Sequence, residues 1–432
     1  MYQPLKSQDL YRKTFYLIAI IGLVSTFFLA IVTRGQLFLG SFVYDNTNTF
    51  MDYFNSVRDV ITRTPYENLV IYPPLANLVY LGFVHLSSVD AMSQVPGVID
   101  AFQMRMWQDY MLPFMFYFMA TVLGVWICCK SLKKGSEKER ILFSFLMLFS
   151  LPLLYAFERG NIIVVALIFT MMFFLWKDSP NKVLREIALI SLAIAAGLKI
   201  YPAIFGFLIL REKRYKETLR LLAYGIFLLF VPFVFFGGFD HITIWLHNLV
   251  NTSAEVAARY YSYKLNFSNT LEWITCGTIP SVIINIFIFL TLTVGMIGCF
   301  VLQEEWKRVL IATLLLIGLP TISAIYAGIF MIIPLIYFLD NEKRKSRVHF
   351  IYLLLMTSSM VLIPFSGWCY LGDRMHYKET INLSTAVEST AILVLTLMLL
   401  AEVIWLIFVK LRERLKKEKM RGGEMEIHAD EK

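Results

Sequence analysis

Runs of about 20 apolar residues follow one another along almost the whole chain, and each run is long enough to cross a bilayer as an α-helix. The 432 residues are 58% hydrophobic and only 17% charged, whereas soluble domains average roughly 45–50% apolar and about 25% charged residues. A bilayer satisfies no backbone hydrogen bonds, so a helix must satisfy its own. The sequence therefore predicts an all-α polytopic membrane protein with no sizeable soluble domain.

Short basic clusters separate the apolar runs, and such clusters are typical of cytoplasmic loops. They lie at Lys6–Lys13, Lys130–Arg140, Lys177–Arg185, Arg211–Arg220, Lys307–Arg308, Lys343–Arg347 and Lys410–Arg421. The net charge of +8 then reports orientation in the membrane rather than nucleic-acid binding. With the clusters inside, both termini are cytoplasmic. We expect one integral-membrane domain over residues 1–409, with outward segments at 34–108, 237–278 and 366–385, and a basic cytoplasmic tail over 410–432.

Three apolar stretches bounded by basic clusters carry a break near the middle. The stretches are 141–176, 186–210 and 309–339, and the breaks are Glu158–Asn161, Leu198–Pro202 and Leu319–Thr321. We expect short hairpins, because irregular backbone at membrane depth is tolerated only inside protein or beside a wet cavity. Counting both arms gives about 12 transmembrane segments. Arg159 and Lys199 would line an outward cavity; alternatively, both lie at ordinary helix ends and snorkel to water.

The first outward segment contains two acidic residues, Asp45 and Asp52, beside the membrane. Apolar residues at helical spacing between Thr49 and Thr64 predict an amphipathic helix on the membrane surface. Thr49 and Asp52 also have the spacing of a capping box, so Asp52 is either a helix-start residue or a reactive carboxylate placed by that helix. Leu69–Leu86 is apolar, and we interpret it as a re-entrant or interface-lying helix.

Several short motifs resemble, in the same order, those of the polyprenol-phosphate-mannose-dependent mannosyltransferases of glycosyltransferase family 87. An aspartate followed by an aromatic residue comes first, and then Pro65-Tyr66 and Tyr72-Pro73-Pro74-Leu75. Arg159-Gly160-Asn161 resembles the family's Gly-Gln-x-Asn segment without its glutamine. Gly197–Pro202 resembles its Gly-Leu-x-x-x-Lys-x-x-Pro segment, and Asn266-Phe267-Ser268 its Asn-Gln-Ser segment. The resemblance covers about residues 40–280.

This resemblance implies a GT-C fold and the inverting transfer of a hexose, mannose in the family, from a polyprenyl-phosphate sugar to an extracytoplasmic glycan or glycolipid. It also implies a catalytic aspartate in the first outward segment. The motif falls on Asp52-Tyr53; Asp45 remains a rival, because the spacing to Pro65-Tyr66 is shorter than in the family. The expected location is the plasma membrane, with an extracytoplasmic site. The expected partners are the lipid-linked donor, the acceptor and membrane lipids.

The chemistry of such a transfer suggests roles for the other candidates. A carboxylate would take the proton of the acceptor hydroxyl as general base. The leaving lipid phosphate would need positive charge rather than a general acid, and Lys199 and Arg159 are the first candidates to supply it. The substrate-binding candidates are Tyr72, Arg159, Asn161, Lys199, Tyr201, Asn266, Ser268, Arg374 and His376. The sequence contains no Asp-x-Asp pair, His/Cys cluster or glycine-rich nucleotide loop, so we expect neither a metal nor another cofactor.

Two other functions are compatible with many apolar helices. A polysaccharide polymerase or ligase would share the compartment and the lipid-linked donors, but it would rely on arginines in large outer loops. A transporter would place polar groups and broken helices near the bilayer midplane, often in two inverted halves. The early aspartate and the Tyr-Pro-Pro segment favour the glycosyltransferase.

Overall fold

The computed structural model describes residues 7–40, 42–43, 46–61, 63–87, 100–257, 263–341, 346–363, 368–370 and 380–430. Its regular structure is almost entirely helical. The α-helices in chain order are α1 Ser7–Val32, α2 Gln36–Gly40, α3 Met51–Ile61, α4 Pro74–Val84, α5 Ala101–Met106, α6 Gln108–Leu132, α7 Glu137–Leu148, α8 Leu151–Arg159, α9 Ile163–Trp176, α10 Lys182–Leu198, α11 Gly206–Arg211, α12 Tyr215–Phe230, α13 His241–Ala257, α14 Phe267–Ile274, α15 Ser281–Val301, α16 Glu305–Gly318, α17 Ile332–Leu339, α18 Arg347–Ser358 and α19 Leu383–Asp430.

Within the described residues, five apolar helices are long enough to span a bilayer. They run over Leu10–Val32, Gln108–Leu132, Tyr215–Phe235, Ser281–Val301 and Leu383–Arg414. The pair α7–α8 makes a sixth if it is counted as one span, although it bends by 55°. Shorter apolar helices pack among them. The chain thus has the helices of an integral membrane protein, while the count of about 12 segments stays a prediction.

The three predicted helix breaks are confirmed. The first separates α8 from α9 at residues 160–162, where Gly160 adopts a left-handed conformation. The second follows α10 at Lys199, and Pro202 then stands in the first turn of the 3₁₀ helix Tyr201–Phe205. The third lies between α16 and the 3₁₀ helix Ile325–Met331. Glycine and proline end these helices, because glycine accepts positive φ and proline lacks the N–H that a helix interior needs.

The described parts of the basic clusters lie together at one end of the helices. Ion pairs join neighbouring clusters: Arg12 to Glu139, Lys133 to Asp340, Lys177 to Glu212 and Glu305, and Arg214 to Asp178. Helices α7 and α8 rise from this end toward the first break, and α10 rises toward the second. The tips of both hairpins therefore lie away from the basic clusters, as the sequence predicts.

Helix α3 packs its apolar stripe inside the protein, so the expectation that this stripe contacts lipid is wrong. Met51, Tyr53, Phe54, Val57 and Val60 are all buried. The rings of Tyr53 and Phe54 contact Phe114 of α6 at centroid distances of 5.0 and 5.4 Å. The apolar stripe that we assigned to lipid instead faces protein. Helix α4 has 11 residues and is too short to cross a bilayer, as expected for a re-entrant or interface-lying helix.

The third outward segment contains a small antiparallel ribbon that an all-α fold does not include. Strand β1 (Trp368–Tyr370) pairs with β2 (Thr380–Asn382), with Cys369 opposite Ile381. Aromatic and β-branched residues dominate both strands, and such residues favour extended backbone. The ribbon leads directly into α19.

Candidate active site

The turn between α8 and α9 brings Arg159 and Asn161 against the start of α3. Gly160 has φ +64°, and its N–H bonds back to α8. A Cβ atom at Gly160 would lie 3.0 Å from Cβ of Tyr53 and 3.3 Å from Cε2 of Phe114. Only glycine fits both the left-handed backbone and this close approach. The turn and α3 can therefore touch, with Arg159 and Asn161 on either side of the contact.

The first turn of α3 is fixed against the same segment. Phe50 precedes the helix with φ +64°, and its N–H donates to the carbonyl oxygen of Glu158 at 2.7 Å. The ring of Phe50 packs on Phe114 at 4.6 Å. Asp52 follows in the first helical turn. The direction of the Asp52 side chain is thus set by the backbone bond of Phe50 to Glu158 and by the ring contact of Phe50 with Phe114.

The carboxylate of Asp52 accepts hydrogen bonds from both residues of the turn. Nε and Nη2 of Arg159 donate to Oδ1 at 3.1 and 2.5 Å, and Nδ2 of Asn161 donates to Oδ2 at 2.7 Å. The capping interpretation had placed this carboxylate against its own helix start. A carboxylate has about four lone-pair positions, and these three donors leave one on Oδ2. The side chain of Asp52 is 17% exposed, so a substrate can reach it.

Asn161 is itself held in one orientation. Its Oδ1 accepts from the N–H of Ile163 at 3.0 Å, which turns Nδ2 toward Asp52. The hydroxyl of Tyr117 donates to its carbonyl oxygen at 3.1 Å. The same Nδ2 also lies 3.2 Å from the hydroxyl oxygen of Tyr72. Asn161 therefore links the aspartate to the Tyr-Pro-Pro segment.

Tyr72 stands just before α4, which begins at Pro74. Helix α13 holds this segment from outside: the indole N–H of Trp245 donates to the carbonyl oxygen of Ile71 at 3.1 Å. Nδ2 of Asn248 donates to the carbonyl oxygen of Tyr66 at 2.7 Å. The second outward segment thus positions a residue of the first.

Lys199 lies over the ring of Tyr72. Its side chain is buried, and Nζ lies 4.2 Å from the ring centre of Tyr72 and 5.6 Å from that of Tyr326. No hydrogen bond or ion pair to this ammonium occurs within the described residues. Aromatic faces attract a cation but do not replace the hydrogen bonds that a buried ammonium needs. Lys199 is therefore suited to receive an anion from outside the chain.

An aromatic wall of Tyr155, Tyr263 and Tyr326, none of which was selected as a site residue from the sequence, completes the site. Tyr326 stacks on Tyr155 at a centroid distance of 6.0 Å with 14° between the planes, and Tyr263 lies 6.5 Å from Tyr155. The segment before Tyr326 is tied to the second outward segment by the bridge between Lys264 and Ala324. The predicted helix break at Leu319–Thr321 could have pointed to Tyr326, because it marks the tip of a third hairpin a few residues before this tyrosine.

Two predicted binding residues, Asn266 and Ser268, also have a local structural position. Asn266 caps α14: its Oδ1 accepts from the N–H of Asn269 at 2.8 Å, and its Nδ2 donates to the carbonyl oxygen of Thr321 at 2.7 Å. Ser268 lies half-buried in the first turn of that helix. No hydrogen bond or ion pair joins either residue to Asp52 in the part of the chain that the structure describes. Both remain proposals as substrate-binding residues.

Of the four remaining candidates, the structure describes Tyr201 alone. Tyr201 opens the 3₁₀ helix two residues after Lys199 and is half-buried. Asp45, Arg374 and His376 lie outside the described residues. The structure therefore builds its cluster around Asp52 and does not compare it with Asp45.

A bound metal ion would change the chemistry available at this site. The described residues contain no cluster of three or more His, Cys, Asp or Glu side chains that could hold one. The described site instead offers a carboxylate with one open lone pair, a buried ammonium and several tyrosine rings. Such groups can take a proton, bind an anion and contact a sugar face.

Comparison with known proteins gives one match. A family model, described as glycosyltransferase family 87, matches residues 70–319. This range includes Tyr72, Arg159, Asn161 and Lys199, while Asp52 lies before its start. No curated protein and no solved structure matches the chain.

Proposed function

Because the chain belongs to glycosyltransferase family 87, and so is a glycosyltransferase with a sugar donor and an acceptor, we propose that it moves a hexose from a polyprenyl-phosphate sugar to a glycan or glycolipid on the outer side of the membrane. Mannose is the proposed hexose. The observation that carries the proposal is the pairing of a reachable carboxylate, Asp52, with a buried ammonium, Lys199, around Tyr72: Asn161 joins Asp52 to the Tyr72 hydroxyl, and Lys199 lies over the Tyr72 ring. The plasma membrane and a GT-C fold belong to the same proposal.

Asp52 acts as the general base. Arg159 occupies Oδ1 and Asn161 occupies one position on Oδ2, so the remaining lone pair of Oδ2 faces the acceptor hydroxyl. As that hydroxyl attacks the anomeric carbon, its proton passes to Oδ2. A positioned base of this kind contributes roughly 100- to 10,000-fold to the rate.

Lys199 binds the phosphate of the donor. The bond from the anomeric carbon to the phosphate oxygen breaks as the new glycosidic bond forms, and the electron pair leaves with the phosphate. Its negative charge is then met by an ammonium in a site poor in water, where such charges interact strongly. Base and phosphate lie on opposite faces of the sugar, so the configuration at the anomeric carbon inverts.

Arg159 has a different role from the one expected. Its guanidinium is engaged by Asp52 and by the carbonyl oxygen of Asn48 at 3.1 Å. It therefore orients the base, and the phosphate-binding role falls to Lys199. Nε and Nη2 of Arg159 converge on the single oxygen Oδ1, and these charge-assisted bonds hold that oxygen in place.

The test is transfer of radiolabelled mannose from synthetic polyprenyl-phosphate-mannose by the purified protein, with a panel of glycan and glycolipid acceptors. We expect Asp52→Asn to lower kcat by roughly 100- to 10,000-fold while donor binding persists. Asp109→Asn is the matched control, because Asp109 is exposed in the first turn of α6; it should keep wild-type activity.

Each contrary outcome has a defined meaning. Full activity of Asp52→Asn would remove Asp52 as the base, and loss in Asp45→Asn alone would transfer the role to Asp45. Transfer from a nucleotide sugar, with none from any polyprenyl-phosphate sugar, would refute the donor class. Movement of a lipid-linked sugar across vesicles without transfer would favour the transporter.

A further inference from the structure

Three successive carbonyl oxygens before α3 accept hydrogen bonds from two arginines. Nη1 of Arg105, in the last turn of α5, donates to the carbonyl oxygens of Thr47 and Thr49 at 3.1 and 2.8 Å. Nη1 of Arg159 donates to the carbonyl oxygen of Asn48, between them in the chain, at 3.1 Å. Residues from two different helices therefore hold the segment that leads into α3.

The peptide group between Thr49 and Phe50 is held at both of its polar atoms. Its carbonyl oxygen accepts from Arg105, while its N–H donates to the carbonyl oxygen of Glu158 at 2.7 Å. A peptide group is planar, so a hydrogen bond at each polar atom fixes the orientation of the whole group. This peptide group is thus clamped between α5 and α8.

The clamped peptide group determines the backbone conformation of Phe50. Phe50 has φ +64°, a left-handed conformation that is disfavoured for a residue with a Cβ atom. Because φ is the rotation about the N–Cα bond, a peptide group released from Arg105 could rotate and let Phe50 adopt a negative φ. Asp52 follows two residues later in the first turn of α3. Its carboxylate would then move with the start of the helix.

Helix α5 presents Arg105 from a fixed position. The helix packs on α3, and its residues Ala101 and Met104 are buried. The guanidinium carbon of Arg105 lies 5.8 Å from the ring centre of Phe102, and an aromatic face attracts a guanidinium. The donor of the clamp is therefore itself held in place.

We propose that Arg105 is a positioning residue of the general base: by clamping the Thr49–Phe50 peptide group, it sets where the carboxylate of Asp52 lies. The inference rests on the proposed function and adds a residue that none of the sequence motifs contains. Within the described residues, no hydrogen bond joins Arg105 to Asp52 or to Lys199. Arg105 therefore acts through the backbone, and its loss should lower kcat without changing the KM of the donor.

Hydrogen exchange in detergent tests the clamp without any transfer reaction. Arg105→Met removes both hydrogen bonds and keeps a long side chain. Loss of a hydrogen bond to a charged group predicts about tenfold faster exchange of the Phe50 amide, measured by mass spectrometry on peptides that cover residues 47–54. Unchanged exchange in Arg105→Met would overturn the clamp.

Arg308→Met is the matched control. Nη1 of Arg308 also donates to two carbonyl oxygens, those of Leu302 and Gln303, at 3.2 and 2.7 Å. Arg308 lies in the first turn of α16, among the basic clusters and away from the hairpin tips. Its substitution should leave exchange over residues 47–54 and kcat per folded molecule at the wild-type values. An equal effect of both substitutions would show a general loss of stability and refute the specific role of Arg105.

Transfer assays test the effect on the base. Arg105→Met should lower kcat per folded molecule by about 10- to 100-fold, with the donor KM unchanged. Arg105→Lys should restore most of the activity, because both bonds come from one nitrogen and an ammonium carries three donors. In an Asp52→Asn background, Arg105→Met should have little further effect, since residues that act through one group are not additive. An independent loss in that background would refute action through Asp52.

The inference and the proposed function fail separately. Faster exchange in Arg105→Met, with no transfer by the wild-type protein from any polyprenyl-phosphate sugar, would refute the proposed function and leave the clamp. Transfer by the wild-type protein with undiminished kcat in Arg105→Met would refute the positioning role and leave the proposed function. Arg105→Gln, which removes the charge and shortens the side chain, gives the same measurements if the methionine variant does not fold.

Discussion

Replacement of Gly160 by alanine tests whether the turn between α8 and α9 positions the proposed catalytic carboxylate, Asp52. A left-handed backbone costs a residue with a Cβ about 1–2 kcal/mol. The new Cβ would also lie 3.0 Å from Cβ of Tyr53 and 3.3 Å from Phe114, and relieving such overpacking costs about 1–3 kcal/mol. Together these predict a destabilisation of about 2–5 kcal/mol.

The same substitution should impair transfer in the molecules that remain folded. Relief of the contact moves α3 away from the turn, and both hydrogen-bonding partners of Asp52, Arg159 and Asn161, flank Gly160. A displacement of about 1 Å in a positioned group costs roughly 100-fold in rate. We therefore expect kcat per folded molecule to fall by about 10- to 100-fold.

Tryptophan fluorescence during heating in detergent measures stability, and transfer from polyprenyl-phosphate-mannose at a temperature well below the Tm measures activity. Gly82→Ala is the control: with open space around the site, it should stabilise the helix by about 0.5–1 kcal/mol and keep wild-type kcat. Wild-type Tm and kcat in Gly160→Ala would refute the need for glycine. A lower Tm with undiminished kcat would show that the turn supports the fold without positioning Asp52.

Two further substitutions separate binding from folding. Lys199→Met should raise the donor KM by roughly 10- to 100-fold, because a charge-assisted bond to phosphate is worth about 1.5–3 kcal/mol. Lys199→Arg is the control and should keep most of the affinity for the donor. An unchanged KM in Lys199→Met would exclude a phosphate-binding role for Lys199. Asn266→Ala should lower stability by about 0.5–2 kcal/mol through loss of the α14 cap. A raised KM per folded molecule would support the proposed substrate contact, whereas an unchanged KM would leave Asn266 as a structural cap alone.

The hairpin breaks could be predicted from the sequence because their causes are local. Gly160 and Pro202 each disrupt a helix whatever surrounds them, and both breaks occur where expected. The basic clusters predicted correctly which loops share one end of the helices, and the membrane orientation that they favour stays a prediction. The ribbon of β1 and β2 was not predicted, because three-residue strands give too short a pattern to identify.

The partner of Arg159 could not be predicted in the same way. Periodicity shows which face of a helix is polar, but it does not show which distant residue that face meets. Arg159 and Asp52 are 107 residues apart in the chain. The apolar stripe of α3 raised a related difficulty. Lipid and protein interior are both apolar, so a stripe that faces Phe114 has the same sequence pattern as one that faces lipid.

The ion pair between Arg159 and Asp52 also explains how a carboxylate can work beside an anionic donor. A bare aspartate near the phosphate would repel it, and unit charges about 4 Å apart interact by roughly 4 kcal/mol near a protein surface. Arg159 balances Asp52 at direct contact, while Lys199 contacts only tyrosine rings. Within the described cluster, Lys199 is thus the cation without a carboxylate at contact distance, and it lies over the ring of Tyr72. Within the proposed function, the phosphate is drawn to that side, and the lone pair of Oδ2 stays open to the acceptor.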